Sequence, residues 1–227
     1  MPHVKRISYS LFDPWIGPLV KRIYPILRIP VWFPPEALIF VGHLCAVMGA
    51  VGFAFSLTTW WGGCLAAFGV IGNHFFDCID GTHARATQQC RNGGELLDHF
   101  TDPLSFAYWL IGWSVAIGRL DLGMAALVIL FATAVLTNIK AKLTGEFTLA
   151  SFGPTEFKAG LVVVGGVLSI LTMLAAGFTA TMALFAYWTL LAIGCVQLII
   201  GLCRAVYEVN RSSVQADVSE WQVRRID

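Results

Sequence analysis

Charge is what this sequence has least of. Only 13% of its 227 residues are Asp, Glu, Lys or Arg, against 57% hydrophobic, whereas a soluble domain carries about one-quarter charged residues. That shortage excludes an ordinary soluble globule. Long linkers and low-complexity segments are also missing, which excludes a string of loosely joined modules. Cysteine pairs at CxxC spacing are absent, so Cys45, Cys64, Cys78, Cys90, Cys195 and Cys203 are expected as small apolar thiols, mostly inside hydrophobic segments, rather than as a zinc site or disulfide frame. A cleavable signal peptide is not expected, because Asp13, Pro14, Pro18 and Lys21 interrupt any apolar leader.

What the chain does have is long hydrophobic runs. Six segments, starting near Ala37, Thr58, Leu104, Leu122, Ala159 and Met182, approach the roughly 20 apolar residues that cross a bilayer as helix. Basic residues divide unevenly between their connections. Lys5, Arg6, Lys21, Arg22, Arg28, Arg85, Arg91, Lys140, Lys142, Lys158, Arg204, Arg211, Arg224 and Arg225 fall on one side of a six-span chain, and Arg119 alone on the other. The positive-inside rule makes the basic side cytoplasmic, with both termini on it. Within the first 35 residues, Trp15, Leu19, Ile23 and Leu27 recur every fourth position, as in an amphipathic helix lying in the membrane interface. The expected fold is all-α and polytopic, with six transmembrane helices plus that interfacial helix. Residues 1–35 form the interfacial segment, 36–206 the six-helix domain and 207–227 a cytoplasmic tail.

Acid is concentrated where hydropathy should exclude it. "DCIDGTHARATQQCRNGGELLDHFTD", Asp77 to Asp102, holds five of the fourteen acidic residues. Asp77, Asp80, Gly81, Ala84 and Arg85 share one helical face. After a polar turn, "ATQQCRNG", Gly94, Asp98 and Asp102 share a face of the next helix. Two antiparallel helices can turn those faces together, with Gly81, Ala84 and Gly94 leaving room between them. Ionised groups at membrane depth are expensive and usually functional. Arg85 and Arg91 are too few to neutralise the cluster, and an all-oxygen ligand set suits Mg²⁺ or Mn²⁺ rather than zinc. Four aspartates suffice for two ions sharing carboxylates, an arrangement used in phosphoryl transfer, and Arg85 can take a pair of phosphate oxygens.

The pattern Asp-x₂-Asp-Gly-x₂-Ala-Arg-x₈-Gly-x₃-Asp-x₃-Asp, formed by Asp77, Asp80, Gly81, Ala84, Arg85, Gly94, Asp98 and Asp102, resembles the defining motif of the CDP-alcohol phosphotransferases. That resemblance implies a six-helical membrane enzyme of phospholipid head-group synthesis. It implies that Asp77, Asp80, Asp98 and Asp102 hold the metals, that Gly81, Ala84, Arg85 and Gly94 border the substrate, and that Asp102 is a candidate general base. Two further stretches resemble the choline and ethanolamine phosphotransferase branch: "GELLDH", ending at His99, and "LTGEFTLASFGPTE", ending at Glu156. The branch resemblance implies that His99 is the base towards a diacylglycerol hydroxyl and Glu156 its orienting partner. The alternatives are a helix-end histidine bonded to a carbonyl and an acid at a helix start favoured by the dipole. "YSLFDPW…PPEALIFVG" is weakly similar to the entry into the branch's first span, but Glu36 stands where that branch usually has Asn.

The expected partners are a CDP-alcohol, a lipid acceptor and membrane lipids, with a homodimer suggested by the glycines of "GLVVVGGVL" and no nucleic acid. A second reading keeps the family but takes CDP-diacylglycerol as donor to inositol phosphate, glycerol phosphate or serine, with Lys140, Lys142 and Lys158 forming a basic pocket. A third, a divalent-cation transporter, would need carboxylates inside several spans. His43, His74 and His83 show no partner in sequence, and Trp60 and Trp61 read as interfacial belt residues.

Overall fold

The computed structural model describes residues 5–149 and 152–212. Strand β1 (Lys5–Ser8) leads into helix α1 (Asp13–Ile23) and a 3₁₀ turn (Tyr24–Leu27). The long helices follow: α2 (Pro35–Phe55), α3 (Trp60–Ala86), α4 (Asn92–Ala116), α5 (Leu120–Thr144), α6 (Pro154–Met173) and α7 (Thr179–Arg211). A second strand, β2 (Glu146–Leu149), lies between α5 and α6 and pairs in parallel with β1. Local chemistry marks several boundaries. Pro35 and Pro154 open α2 and α6, where a missing N–H costs nothing. Gly145 ends α5 at φ 72°, the left-handed conformation that caps helices.

Helices α2, α3, α5, α6 and α7 are each long and apolar enough to cross a bilayer. The sixth expected span falls on α4, which has 25 residues but is not among them. Its first three turns carry Glu95, Asp98, His99 and Asp102, and that polarity separates it from the other five. The expected tail at 207–227 is described only to Ser212, where α7 has just ended; the rest of it lies outside the described residues.

Helix α3 is central, with α2 along one side and α6 along another; α4 packs on α2 and α5, and α5 on α7. Bare backbone lets α3 and α6 approach: a Cβ at Gly63 would collide with the carbonyl of Gly165 and the amide of Ser169. The core between the helices is built on Phe53, Val70, Trp109, Trp113, Leu161 and Tyr187. Trp109 Nε1 donates to the Ala46 carbonyl at 2.9 Å and the Tyr187 hydroxyl to that of Leu110 at 3.1 Å, so both rings are satisfied without water.

Helix α1 has two apolar stripes. Trp15 and Leu19, from the stripe singled out in the sequence, point outward at 79% and 55% exposure. The face that holds α1 to the bundle is instead Ile16, Val20 and Tyr24, packed with Leu38, Phe75 and Ile79. All six cysteines are free thiols, though Cys90, Cys195 and Cys203 are exposed.

Candidate active site

The acidic stretch folds as two helix ends facing each other. Helix α3 stops at Ala86, Thr87–Arg91 turn the chain, and α4 starts at Asn92, a shorter turn than the sequence pattern suggests. Single ligand oxygens of Asp77, Asp98 and Asp102 lie within 4.8 Å of one another. Asp80, the fourth expected ligand, is outside that group of three but lines the same cavity. It is only 5% exposed, and its Oδ2 has no hydrogen-bond partner among the described residues. A buried carboxylate oxygen without a donor is costly. Converging carboxylates with one oxygen left over fit a hard divalent cation.

The cavity reaches deeper between α2, α3 and α4, past Gly42, His43, Asn73 and Ser105. Asn73 Nδ2 donates to the Gly42 carbonyl at 3.1 Å and to Ser105 Oγ at 3.4 Å, while its Oδ1 is buried and unpartnered. At the outer edge, Arg85 is exposed and folds back over Gly81, whose Cβ would sit 3.2 Å from Arg85 Nη1. Gly94 faces Glu36: a Cβ there would lie 3.7 Å from Glu36 Oε1, and Arg91 Nη1 is 3.6 Å from the same oxygen. Ala84 is half-buried on α3. His99 is half-buried one residue beyond Asp98, its ring edge-on to Phe147 of β2 at 5.2 Å between centroids.

Glu156 is buried at the start of α6, and its oxygens receive four donors. Oε1 accepts from Ser10 Oγ (2.7 Å), Leu11 N (2.7 Å) and Phe12 N (3.3 Å), and Oε2 from Gly153 N (2.9 Å). A carboxylate has about four lone-pair sites, so these bonds use its capacity. They realise the helix-start role left as the alternative in the sequence and add the anchoring of the N-terminal segment. Asp13 strengthens that anchor, accepting from Ser8 Oγ at 2.5 Å and Thr155 Oγ1 at 2.7 Å. Burial raises the Asp13 pKa, but the hydroxyls of Ser8, Thr155 and Ser10 outweigh it and hold the carboxyl below its usual range. A second anchor is His83, fully buried, with Nδ1 2.8 Å from the Tyr24 hydroxyl and Nε2 2.8 Å from the Phe33 carbonyl. Both bonds form when Nε2 carries the proton.

Sequence reasoning missed the place of Lys158. In sequence it falls with Lys140 and Lys142 in one basic connection, yet the fold separates them. Lys140 pairs with Glu208 of α7. Lys158 Nζ donates to Asp77 Oδ2 at 2.7 Å and lies 3.6 Å from Asp102 Oδ1, with its side chain 3% exposed. The signal that could have found it is helical register: Lys158 shares a face of α6 with the buried Leu161, Gly165 and Leu168. His74, three residues before Asp77, also faces the cradle, its Nδ1 3.9 Å from Asp77 Oδ2, beyond hydrogen-bond distance.

Comparison with known proteins identifies the family. Cholinephosphotransferase 1 of Gallus gallus is 32% identical over 114 residues, 48% of this chain and 33% of that protein. The Mus musculus enzyme of the same name is 32% identical over 118 residues, 49% of this chain and 29% of its own length. The Homo sapiens one is 31% identical over 94 residues, 39% and 23% respectively. The chain thus matches a third or less of the length of these relatives, and the matches accord with the choline and ethanolamine phosphotransferase branch. The family model for CDP-alcohol phosphatidyltransferase matches residues 32–188, from just before α2 to the first turns of α7 and including every motif aspartate. With more than half its length covered, the chain belongs to the CDP-alcohol phosphatidyltransferase family.

Proposed function

We propose that this protein transfers a phospho-alcohol from CDP-choline or CDP-ethanolamine to a lipid hydroxyl such as that of diacylglycerol. The acceptor oxygen forms a bond to the β-phosphorus, the bond from that phosphorus to the CMP oxygen breaks, and CMP leaves with the electron pair. The observation that carries the reading is the convergence of Asp77, Asp98 and Asp102 beside the unpartnered Asp80 oxygen. Its choline/ethanolamine branch draws support from similarity to the cholinephosphotransferases.

Asp77, Asp80, Asp98 and Asp102 would hold Mg²⁺ or Mn²⁺, two ions sharing the four carboxylates. Ions bound there would supply positive charge to the attacking and leaving oxygens. Arg85, at the outer edge, binds the diphosphate, and Gly81, Ala84 and Gly94 keep space for the nucleotide. His99 takes the acceptor proton, with Asp102 serving as ligand. Glu156 acts through the N-terminal segment it anchors, because its lone pairs are already occupied. All six long helices span the membrane, α4 included, with the site and both termini cytoplasmic and the outward stripe of α1 in the interface.

Purified protein in nanodiscs, given CDP-choline, CDP-ethanolamine or CDP-diacylglycerol with candidate acceptors and Mg²⁺ or Mn²⁺, tests this directly. CMP release with diacylglycerol as acceptor is the expected result. Turnover only with CDP-diacylglycerol and a small polar alcohol would favour the second reading. Retained metal without CDP-dependent turnover would favour a cation transporter.

A further inference from the structure

We propose that Lys158 is a built-in counter-charge that weakens the cradle's hold on divalent ions, so that ions and the nucleotide diphosphate bind cooperatively. The inference rests on the metal-cradle reading above. Lys158 contacts two of the three converging carboxylates, Asp77 at 2.7 Å and Asp102 at 3.6 Å. It reaches them from α6, while they stand on α3 and α4, so one ammonium joins all three helices at the site. Its Nζ also lies 5.4 Å from the centroid of the Phe106 ring. With the side chain 3% exposed, the charge is enclosed and is a fixed part of the cradle's field.

The charge balance then differs from that of four free carboxylates. The Lys158 ammonium offsets one of them, and three negative charges remain to face the four positive charges of two divalent ions. Ions alone overfill such a site. Ions arriving with a diphosphate, which brings its own negative charge, do not. A like charge sharing a ligand oxygen with an ion should weaken ion binding by about tenfold or more, even when heavily screened. Linkage makes the effect reciprocal: whatever the nucleotide does for ion affinity, the ions do for nucleotide affinity. Lys158 would thereby keep the acidic cradle from trapping ions while no nucleotide is bound.

The test is Mn²⁺ binding, read from the electron paramagnetic resonance signal of free Mn²⁺, with protein in nanodiscs and CDP as the nucleotide probe. Wild-type protein should bind Mn²⁺ weakly alone and about tenfold more tightly with CDP. Lys158→Met should bind Mn²⁺ about tenfold or more tightly without CDP, and the gain from CDP should shrink. Lys158→Arg, which keeps the charge, should stay close to wild type. A Met variant that binds Mn²⁺ no more tightly than wild type overturns the proposal. If Lys158→Met fails to fold by gel filtration, Lys158→Gln takes its place. Wild-type Mn²⁺ affinity that ignores CDP also overturns the proposal without any variant. Mn²⁺ held equally by all proteins refutes the role of Lys158 alone, whereas Mn²⁺ held by none refutes the metal cradle and this inference with it.

Discussion

The two ends of the helix bundle differ in how many buried polar atoms they leave without a partner. At the end away from the cradle, each buried hydroxyl finds a nearby carbonyl: Ser56 Oγ that of Phe53 (2.7 Å), Ser114 Oγ that of Ile111 (2.8 Å) and Ser169 Oγ that of Trp60 (2.6 Å). At the cradle end, Asp80 Oδ2, Asn73 Oδ1, Glu36 Oε2 and His74 Nδ1 are buried without a hydrogen-bond partner. Among the described residues the remaining such atom, Trp113 Nε1, is the exception at the far end, one residue before Ser114 and stacked on Phe53. Satisfied groups hold helices together. Groups left over are where a protein accepts stability loss for the sake of a ligand, since an unpaired buried polar atom costs about 1–3 kcal/mol. The same helices, α2 and α3, contribute to both ends, so the difference lies in side chains and not in the scaffold.

The comparison breaks most severely if the carboxylates are neutralised. Asp77→Asn, Asp98→Asn and Asp102→Asn should each lower CMP release by about 10³-fold or more, because charge stabilisation accounts for most of the catalysis in phosphoryl transfer. Folding in detergent should persist. EDTA should silence the wild type, and Mg²⁺ or Mn²⁺ should restore it; near-normal activity in two of the three variants would remove the cradle.

Next in size is His99→Ala, expected to lose about 10²–10⁴-fold in turnover, the usual worth of a positioned base. CDP-alcohol binding should survive, because the aspartates and Arg85 remain. A small effect would hand the proton to Asp102 and weaken the diacylglycerol reading.

Glu156→Ala should act through the N-terminal segment. Removing a charged acceptor of Ser10, Leu11 and Phe12 should cost about 1.5–3 kcal/mol of local stability. Hydrogen exchange at the Leu11 and Phe12 amides should therefore speed up about tenfold or more. The loss of turnover should multiply with that of His99→Ala, the behaviour of residues that act separately. A double variant no worse than His99→Ala alone would instead couple Glu156 to the base.

The smallest effect belongs to the opposite end. Ser169→Ala removes one satisfied hydrogen bond to the Trp60 carbonyl and should cost about 1 kcal/mol in thermal unfolding. CMP release should not change, and a clear loss would mean that the two ends are coupled.

Much of the fold was legible because hydropathy and charge act locally. Long apolar runs fixed five spanning helices within a few residues of their observed starts. The fixed gaps from Asp77 to Asp102 placed one carboxylate set on each of two adjoining helices, and a short turn forces such helices to be antiparallel neighbours. Helix α4, the sixth expected span, differs from those five because the same aspartates that announce the site lower its hydropathy. On α1 the sequence shows two apolar stripes, and neither periodicity nor composition says which one the bundle will cover.

The sequence by itself determined the membrane class, through its long apolar runs, and the family, through motif spacing that also put Asp77, Asp98 and Asp102 within reach of one another. Only the tertiary structure decided which distant groups meet them. Lys158 and Asp77 are 81 residues apart, and three neighbouring lysines look alike until α6 turns one of them inward. Glu156 likewise gained its donors from Ser10, Leu11 and Phe12, some 145 residues away. A helix repeats every 3.6 residues, so sequence can say which side chains share a face, but what that face meets is set by packing between helices.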